Sequence, residues 1–261
     1  MQSLGAESPD AAAFAPAPEE PSSGPRIPPG PALYIVATPI GNLEDITLRA
    51  LRILGQVDTI LSEDTRKTGI LLKHYGLATR QKSYRVHQEE RDLETALSFL
   101  REGRNLAFCS DAGTPGISDP GSRLVREIRD TTPETPVFAI PGPSALAAAL
   151  SISGWQANPS VFAGFLSPKP GRRRKFLKAR AESDDLIVLY ESVHRIEGLL
   201  RDIRAIFPDR PISVARELTK IYEEIVIFSP DFSDSEWEKA LKGLTRKGEF
   251  TVIIGPRRES F

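Results

Sequence analysis

A chain of 261 residues, 40% of them hydrophobic, with 34 basic against 35 acidic side chains, carries a formal net charge of −1. That length is ample for the packed core of one or two domains, and the charge balance excludes bulk electrostatic attachment to nucleic acid while leaving room for a local basic patch. One cysteine, Cys109, and three scattered histidines, His74, His87 and His194, give neither a disulfide framework nor metal-ligand spacing, and no apolar run reaches the length of a membrane span.

Residues 1–31 are built from Ala, Pro, Ser, Gly and acidic side chains, which bury too little apolar surface to offset chain entropy, so a disordered extension is expected there. It has no apolar h-region, and Arg26 is outnumbered by Glu7, Asp10, Glu19 and Glu20, which argues against a secretion signal or an Arg-rich transit peptide. A cytoplasmic location is the expectation. From 32 to 154 strands and helices alternate: a strand at 33–37, a helix at 46–54 with Asp45 as its N-cap, and a short strand at 59–61. A polar turn at 62–67 then opens a helix running to about Tyr75. A helix at 93–101 shows Leu93, Leu97 and Leu100 on one face. A strand at 106–109, a helix at 122–130, a strand at 137–140 and a helix at 144–152 complete a unit that predicts a mostly parallel sheet with helices on both faces.

The rhythm breaks between 153 and 160, where a first α/β domain (32–154) gives way to a second (155–256), followed by a tail at 257–261. Strands are expected at 161–165, 186–190, 212–215, 224–228 and 250–254, and helices at 172–181, 192–206 and 233–243. Residues 216–228 read as a hairpin-like pair, so this second sheet is expected to be mixed.

Three times in the first unit an apolar strand runs straight into a Gly/Pro loop. Residues 33–36 lead into Ala37-Thr-Pro-Ile-Gly-Asn42, residues 106–109 into Asp111-Ala-Gly-Thr-Pro-Gly-Ile-Ser-Asp-Pro-Gly121, and residues 137–140 into Pro141-Gly-Pro-Ser144. In open α/β sheets, ligands bind at the carboxyl ends of the strands. Neither glycine-rich phosphate pattern is present. Instead Pro39, Pro115, Pro120, Pro141 and Pro143 each remove a backbone donor, leaving carbonyl and hydroxyl acceptors that suit a nucleoside with a neutral or positive centre better than a triphosphate. One such loop would read as a plain turn; three read as a pocket.

Arg172-Arg-Arg-Lys175 sits at a helix start, where positive charge opposes the dipole. This points to a phosphate-rich partner, with a solvated face as the alternative. Arg66, Lys67, Arg80, Lys82, Arg85, His87 and Arg195 extend that patch if they fold onto the same side, contacting backbone phosphate without reading sequence. Tyr190-Glu-Ser-Val-His-Arg195 and Arg216-Glu-Leu-Thr-Lys220 each follow an apolar strand. Glu191, Glu217 and Lys220 are there as candidates for general-base work, with turn-holding ion pairs as the competing reading. Lys247-Gly-Glu249 is a further turn placed to close the pocket.

Seven motifs occur in order across residues 32–256: Val36-Ala-Thr-Pro-Ile-Gly-Asn-Leu-Glu-Asp-Ile-Thr47, Ser62-Glu-Asp-Thr-Arg66, residues 110–121, Ile140-Pro-Gly-Pro-Ser144, Leu189-Tyr-Glu-Ser-Val-His-Arg195, Ala215-Arg-Glu-Leu-Thr-Lys220 and Lys247-Gly-Glu249. The chain therefore resembles the ribosomal RNA small-subunit methyltransferase I family, within the tetrapyrrole (precorrin) methylase superfamily. The resemblance implies two α/β domains with S-adenosylmethionine in the cleft between them, a homodimer, and 2′-O-methylation of a cytidine in the decoding region of small-subunit ribosomal RNA; the expected partner is that RNA within the assembled subunit, although the resemblance does not choose between it and free RNA. It implies that Pro39, Ile40, Asp111, Ala112, Gly113, Thr114, Ile117, Ser118 and Ser144 line the cofactor pocket, with Tyr190 and Ala215 approaching from the second domain. No metal is needed. Tetrapyrrole-precursor methylation and a non-catalytic RNA-binding module are the alternatives.

Overall fold

The computed structural model describes residues 27–85, 89–119, 121–156 and 159–257. His87 and Pro120 lie outside the described residues, as do most of the extension expected at 1–31 and the end of the tail.

Five strands form the first sheet: β1 (Ala32–Val36), β2 (Thr59–Ser62), β3 (Gln81–Ser83), β4 (Asn105–Cys109) and β5 (Val137–Ile140). Their order is β3-β2-β4-β1-β5 and every pairing is parallel. Period-two alternation divides the strand side chains between the faces. Tyr34, Val36, Ile60, Ala107 and Cys109 pack with Ile53 and Leu54 of α1 (Leu48–Gln56) and Leu71 and Leu72 of α2 (Thr65–His74). Leu33, Leu61, Leu106 and Phe108 pack with Leu93, Leu97 and Leu100 of α3 (Glu89–Arg101) and Leu124 and Ile128 of α4 (Gly121–Thr131).

Several local expectations are corrected. Asp45 does not cap α1. Thr47 does, its hydroxyl accepting from the Ala50 N–H at 3.1 Å, because Leu43–Asp45 forms a separate 3₁₀ turn capped by Asn42. The polar strand β3 carries no alternation and is an edge strand paired only to β2, so hydropathy could not reveal it. The last residues of the 1–31 segment are anchored, with the Ile27 N–H donating to Gln56 Oε1 at 3.1 Å and Asn105 Nδ2 donating to the Pro28 carbonyl at 3.2 Å.

The second sheet holds β6 (Ser160–Phe165), β7 (Leu186–Ser192), β8 (Ile212–Arg216), β9 (Glu224–Phe228) and β10 (Glu249–Ile254) in the order β6-β7-β10-β8-β9. Only β6–β7 is parallel, so the sheet is mixed. One face carries Ile187, Leu189, Val214, Val252 and Ile254 against α6 (Pro170–Lys178), α7 (Ile196–Ile206) and α8 (Asp234–Gly243). The helix expected at 192–206 begins only at Ile196, because the Arg195 N–H closes a turn onto the Ser192 carbonyl at 3.0 Å.

The opposite face of that sheet, with Leu186, Val188, Ala215 and Ile253, is covered by α5 (Ala145–Ile152) through Ala145, Leu146, Ala148 and Ala149. The helix that leaves the last strand of the first sheet therefore spends its apolar face on the second. This crossing brings the carboxyl ends of β1, β4 and β5 against β6 and β7.

Candidate functional site

The three loops at the carboxyl ends of β1, β4 and β5 are tied into one floor by their backbones. Thr38 and Gly113 exchange N–H···O bonds of 2.9 and 3.0 Å in an isolated antiparallel bridge, and the Thr38 hydroxyl donates to the Ser110 carbonyl at 3.3 Å. The Thr114 hydroxyl donates to the Pro143 carbonyl at 3.1 Å, linking the second loop to the third. Gly113 has φ +81, and a Cβ there would lie 3.3 Å from Ile40 Cγ2, so both its conformation and the close approach of the first loop require glycine. Asp119 Oδ1 accepts from the Gly116 and Gly121 N–H groups at 2.6 and 3.0 Å, shaping the descent into α4.

At the head of the second loop, Asp111 Oδ2 accepts from Lys67 Nζ at 2.8 Å, while the Asp111 N–H donates to Glu63 Oε2 at 3.3 Å. Asp111 Oδ1 and Ser110 Oγ are buried without a partner. Buried polar atoms left unpaired are costly, and these two stand at the head of the loop that follows β4. Burial, with the neighbouring Asp111 and Asp119 charges, pushes the Glu63 carboxyl above its ordinary range, while the hydrogen bond to Asp111 holds Lys67 firmly as an ammonium.

From the other side comes Tyr190, whose hydroxyl accepts from the Leu146 N–H at 3.1 Å, in the first turn of α5. Burial raises its pKa against that hydrogen bond and one with Ser144. Phe162 and Phe165 contact it edge-on, with centroids at 5.0 and 5.7 Å. A register shift between Phe162 and Gly164, with Gly164 at φ +58, turns Phe165 outward, 57% exposed beside the cleft. Ser118, at φ +68, brings its hydroxyl against Gly164, so the second loop also touches β6. Ala215 is buried beneath Ile40 and α5. The cofactor candidates Pro39, Ile40, Asp111, Ala112, Gly113, Thr114, Ile117, Ser118, Ser144, Tyr190 and Ala215 thus fall on the loops and strand ends that meet here.

The polar candidates divide. Glu191 is 1% exposed, its carboxylate accepting from the Ser192 N–H at 2.8 Å and paired with Arg195 at 3.0 Å. Arg195 also donates to the Leu166 carbonyl at 2.6 Å, so it fixes the loop into α6 rather than standing free in solvent. Glu217 accepts from Lys220 Nζ at 2.8 Å and from the Glu249 N–H at 3.0 Å. Burial works against both charges, yet these bonds keep the Glu217 carboxyl below its usual range and the Lys220 ammonium above its own. Lys220 so held is a donor and a positive charge, not a proton acceptor.

In the basic run, Arg172, Arg174 and Lys175 are exposed on α6, but Arg173 is a correction. It is buried, with Nε and Nη2 on Asp202 Oδ2 at 2.8 and 2.6 Å and a further bond to the Gly198 carbonyl, and it clamps α6 to α7. Arg66 is exposed, though its guanidinium forks onto Asp64. Sequence reasoning missed Glu63, Asp119 and Phe165. For Phe165 the signal was present, an aromatic just before the Leu-Ser-Pro break.

A family model described as Tetrapyrrole (Corrin/Porphyrin) Methylases matches residues 32–230. Among curated proteins, "Ribosomal RNA small subunit methyltransferase I" of Leptospira biflexa is 41% identical over 87% of this chain and 92% of its own length. The protein of that name from Thermotoga maritima is 42% identical over 85% and 97%, and that from Escherichia coli O157:H7 is 44% identical over 85% and 77%. Among solved structures, the methyltransferase CobJ superposes with a TM-score of 0.63 at 20% identity, covering 88% of this chain and 98% of its own. A uroporphyrin-III C-methyltransferase from Thermus thermophilus, complexed with S-adenosyl homocysteine, does so with a TM-score of 0.57 at 18% identity, covering 85% and 97%. At those identities the likeness is one of fold.

Proposed function

The chain belongs to the tetrapyrrole methylase family and, within it, to the ribosomal RNA small subunit methyltransferase I group, and from that premise we propose that it transfers a methyl group from S-adenosylmethionine to a cytidine ribose 2′-oxygen of small-subunit ribosomal RNA. The observation that carries the reading is the floor of three interlocked loops, in which Pro39, Pro115, Pro141 and Pro143 offer no N–H and Asp111 Oδ1 and Ser110 Oγ are unpaired. Such a lining fits an adenosine and a cation and disfavours a polyphosphate. When bound, S-adenosylmethionine supplies a methyl carbon activated by its sulfonium. The residues that would hold it are Pro39, Ile40, Asp111 to Thr114, Ile117, Ser118 and Ser144, with Tyr190 and Ala215 opposite.

The chain's own contribution is positioning and proton removal, since a ribose hydroxyl is a weak acid and a poor nucleophile. Glu191 is sealed by Arg195 and Ser192, and Glu217 is held by Lys220. Glu63 differs: burial raises its carboxyl above the ordinary glutamate range, and among the described residues no cation is hydrogen-bonded to it. A carboxylate in that state is the better base, and we assign it the proton. Phe165 offers a face for base stacking. Arg172, Arg174 and Lys175 follow on the helix reached from the same strand end, placed to meet backbone phosphate.

Among the described residues no helix is long and apolar enough to cross a membrane. The reading places the enzyme in the cytoplasm as a homodimer acting on the assembled subunit. The edge strand β9 exposes Ile225 and Ile227, and its preceding turn exposes Ile221 and Tyr222, an apolar edge that calls for cover. Sedimentation should give a dimer that Ile225→Glu and Ile227→Glu dissociate; a monomeric parent would remove that element. The enzymatic reading is tested by incubating the protein with labelled S-adenosylmethionine and either small ribosomal subunits or a uroporphyrinogen. Label in the RNA supports it, and label only in the tetrapyrrole overturns it.

A further inference from the structure

The rim of the cleft contains a cation that is already doubly occupied. Lys220 leaves the loop after β8 and crosses to the first loop, where its aliphatic stem lies against Gly41 in the space a Cβ there would occupy. Its ammonium then sits between two carboxylates, Glu217 at 2.8 Å and Glu249 at 3.2 Å. On the same rim, Lys67 is held by Asp111 at 2.8 Å, two residues from the Thr38–Gly113 bridge that joins its loop to that of Gly41. Two lysines are thus matched by three carboxylates, Asp111, Glu217 and Glu249, an arrangement hospitable to a cationic cofactor and hostile to an incoming phosphodiester.

The three carboxylates are not equally fixed. Glu217 is 17% exposed, its Oε1 also accepts the Glu249 N–H at 3.0 Å, and its backbone stands at φ +51, with Gly248 packed against the carboxyl group. Asp111 is 30% exposed. The Glu249 side chain is 83% exposed, makes the longest of the three contacts, and hangs from the first residue of β10. An exposed ion pair of this kind contributes little and exchanges readily. The loop that carries Lys220 is itself held in left-handed backbone at two non-glycine residues, Glu217 and Thr219, the sort of strain that persists where function requires a fixed geometry.

We propose that the Lys220 ammonium, supported by Lys67, is a subsite for a phosphodiester of the RNA substrate, and that the Glu249 carboxylate holds that place until the RNA displaces it. The proposal rests on the RNA reading of the cleft. It makes Glu249 a selectivity device: isolated anions compete poorly with a tethered carboxylate, whereas an RNA anchored elsewhere, on Arg172, Arg174 and Lys175, presents its phosphate at high effective concentration. Lys220 then holds the backbone beside the target ribose.

The test measures binding of a short fluorescein-labelled single-stranded RNA by anisotropy across a salt series. Glu249→Gln keeps the N–H that Glu217 accepts and removes only the competing charge. It is expected to tighten RNA binding about threefold to tenfold at low salt while leaving the slope of log K against log salt unchanged, because Lys220 meets the same phosphate in both proteins and only the competing carboxylate is lost. Lys220→Met combined with Glu249→Gln is expected to abolish that gain, and methylphosphonate linkages in the RNA should abolish it too. Unchanged affinity in Glu249→Gln, or a gain that survives Lys220→Met, overturns the proposal. Failure of the RNA reading itself would look different, because the unsubstituted protein would then show no salt-dependent RNA affinity at all. Titration of each variant with S-adenosylmethionine checks that the cleft is intact.

Discussion

The two sides of the cleft are built differently. On the side of the first sheet, loops 37–42, 110–121 and 141–144 are locked to one another by backbone bonds, the Thr38–Gly113 bridge and the Thr114–Pro143 link among them. On the side of the second sheet, the rim is made of long side chains in ion pairs: Lys220 with Glu217 and, more exposed, with Glu249 at 3.2 Å. Backbone bonds fix a pocket once and keep it ready for a small, constant ligand. Side-chain ion pairs can be remade by a large charged one. On the proposed reading, the first side carries most of the cofactor contacts, with Tyr190 and Ala215 opposite, and the second side, helped by Lys67, meets the RNA backbone.

Substitutions sharpen or break that contrast. The largest effect is expected within the basic run itself, because Arg173 is structural and its neighbours are not. Arg173→Ala leaves a nearly buried Asp202 with only its 3.5 Å contact to the exposed Arg174 and should cost about 3 kcal/mol of stability, whereas Arg172→Ala should leave the melting temperature nearly unchanged, and Arg174→Ala lower it only slightly, while both weaken RNA binding and flatten its salt dependence. Equal melting temperatures for Arg173→Ala and Arg172→Ala would contradict the inward placement of Arg173.

Next comes the locked side. Gly113→Ala forces a side chain into left-handed backbone against Ile40, at a cost of about 1–2 kcal/mol. The cost should appear as a lowered melting temperature, and the displaced loop should bind the cofactor more weakly by calorimetric titration, with RNA affinity retained. Loss of both together would mean the two sides are not separable. A smaller change is expected for Tyr190→Phe, which removes the acceptor of the Leu146 N–H and should cost about 1 kcal/mol, seen as a lowered melting temperature.

The smallest effect concerns pH. The Glu63 carboxyl titrates above its ordinary value when folded, so its charged form opposes folding. Glu63→Gln should therefore raise the melting temperature slightly above the folded pKa, and that gain should vanish as pH falls below the ordinary glutamate value of about 4.3. The same variant should lose methyl transfer while retaining cofactor binding. A gain that grows toward acid pH would contradict the assigned shift.

Much of this was legible in the sequence because Gly and Pro punctuation is local. The three strand-to-loop transitions, the alternation of strand and helix in the first half and the hairpin-like pair of β8 and β9 are written in neighbouring residues. Long-range choices are not. A basic run on a helix turns about 100° per residue, so one of Arg172, Arg173, Arg174 and Lys175 had to face inward, and only the placement of Asp202 on α7 selects Arg173. The packing of α5 on the second sheet was hidden for the same reason, since an Ala/Leu helix suits either sheet. The crossing of Lys220 onto Gly41 depends on how the two sheets meet. Glu191 looked like a candidate base because its partner Arg195, four residues on, reads equally as ion pair or substrate ligand until burial is known.

The central claim is ribose methylation at the cleft, and the chemistry of the product tests it most directly. Small-subunit RNA labelled by the protein from S-adenosylmethionine should be hydrolysed in alkali and the fragments separated. A 2′-O-methyl group blocks attack on the adjacent phosphodiester, so the account requires the label to appear in an alkali-resistant dinucleotide beginning with cytidine. Label recovered in a free mononucleotide would place the methyl group on a base and contradict the account.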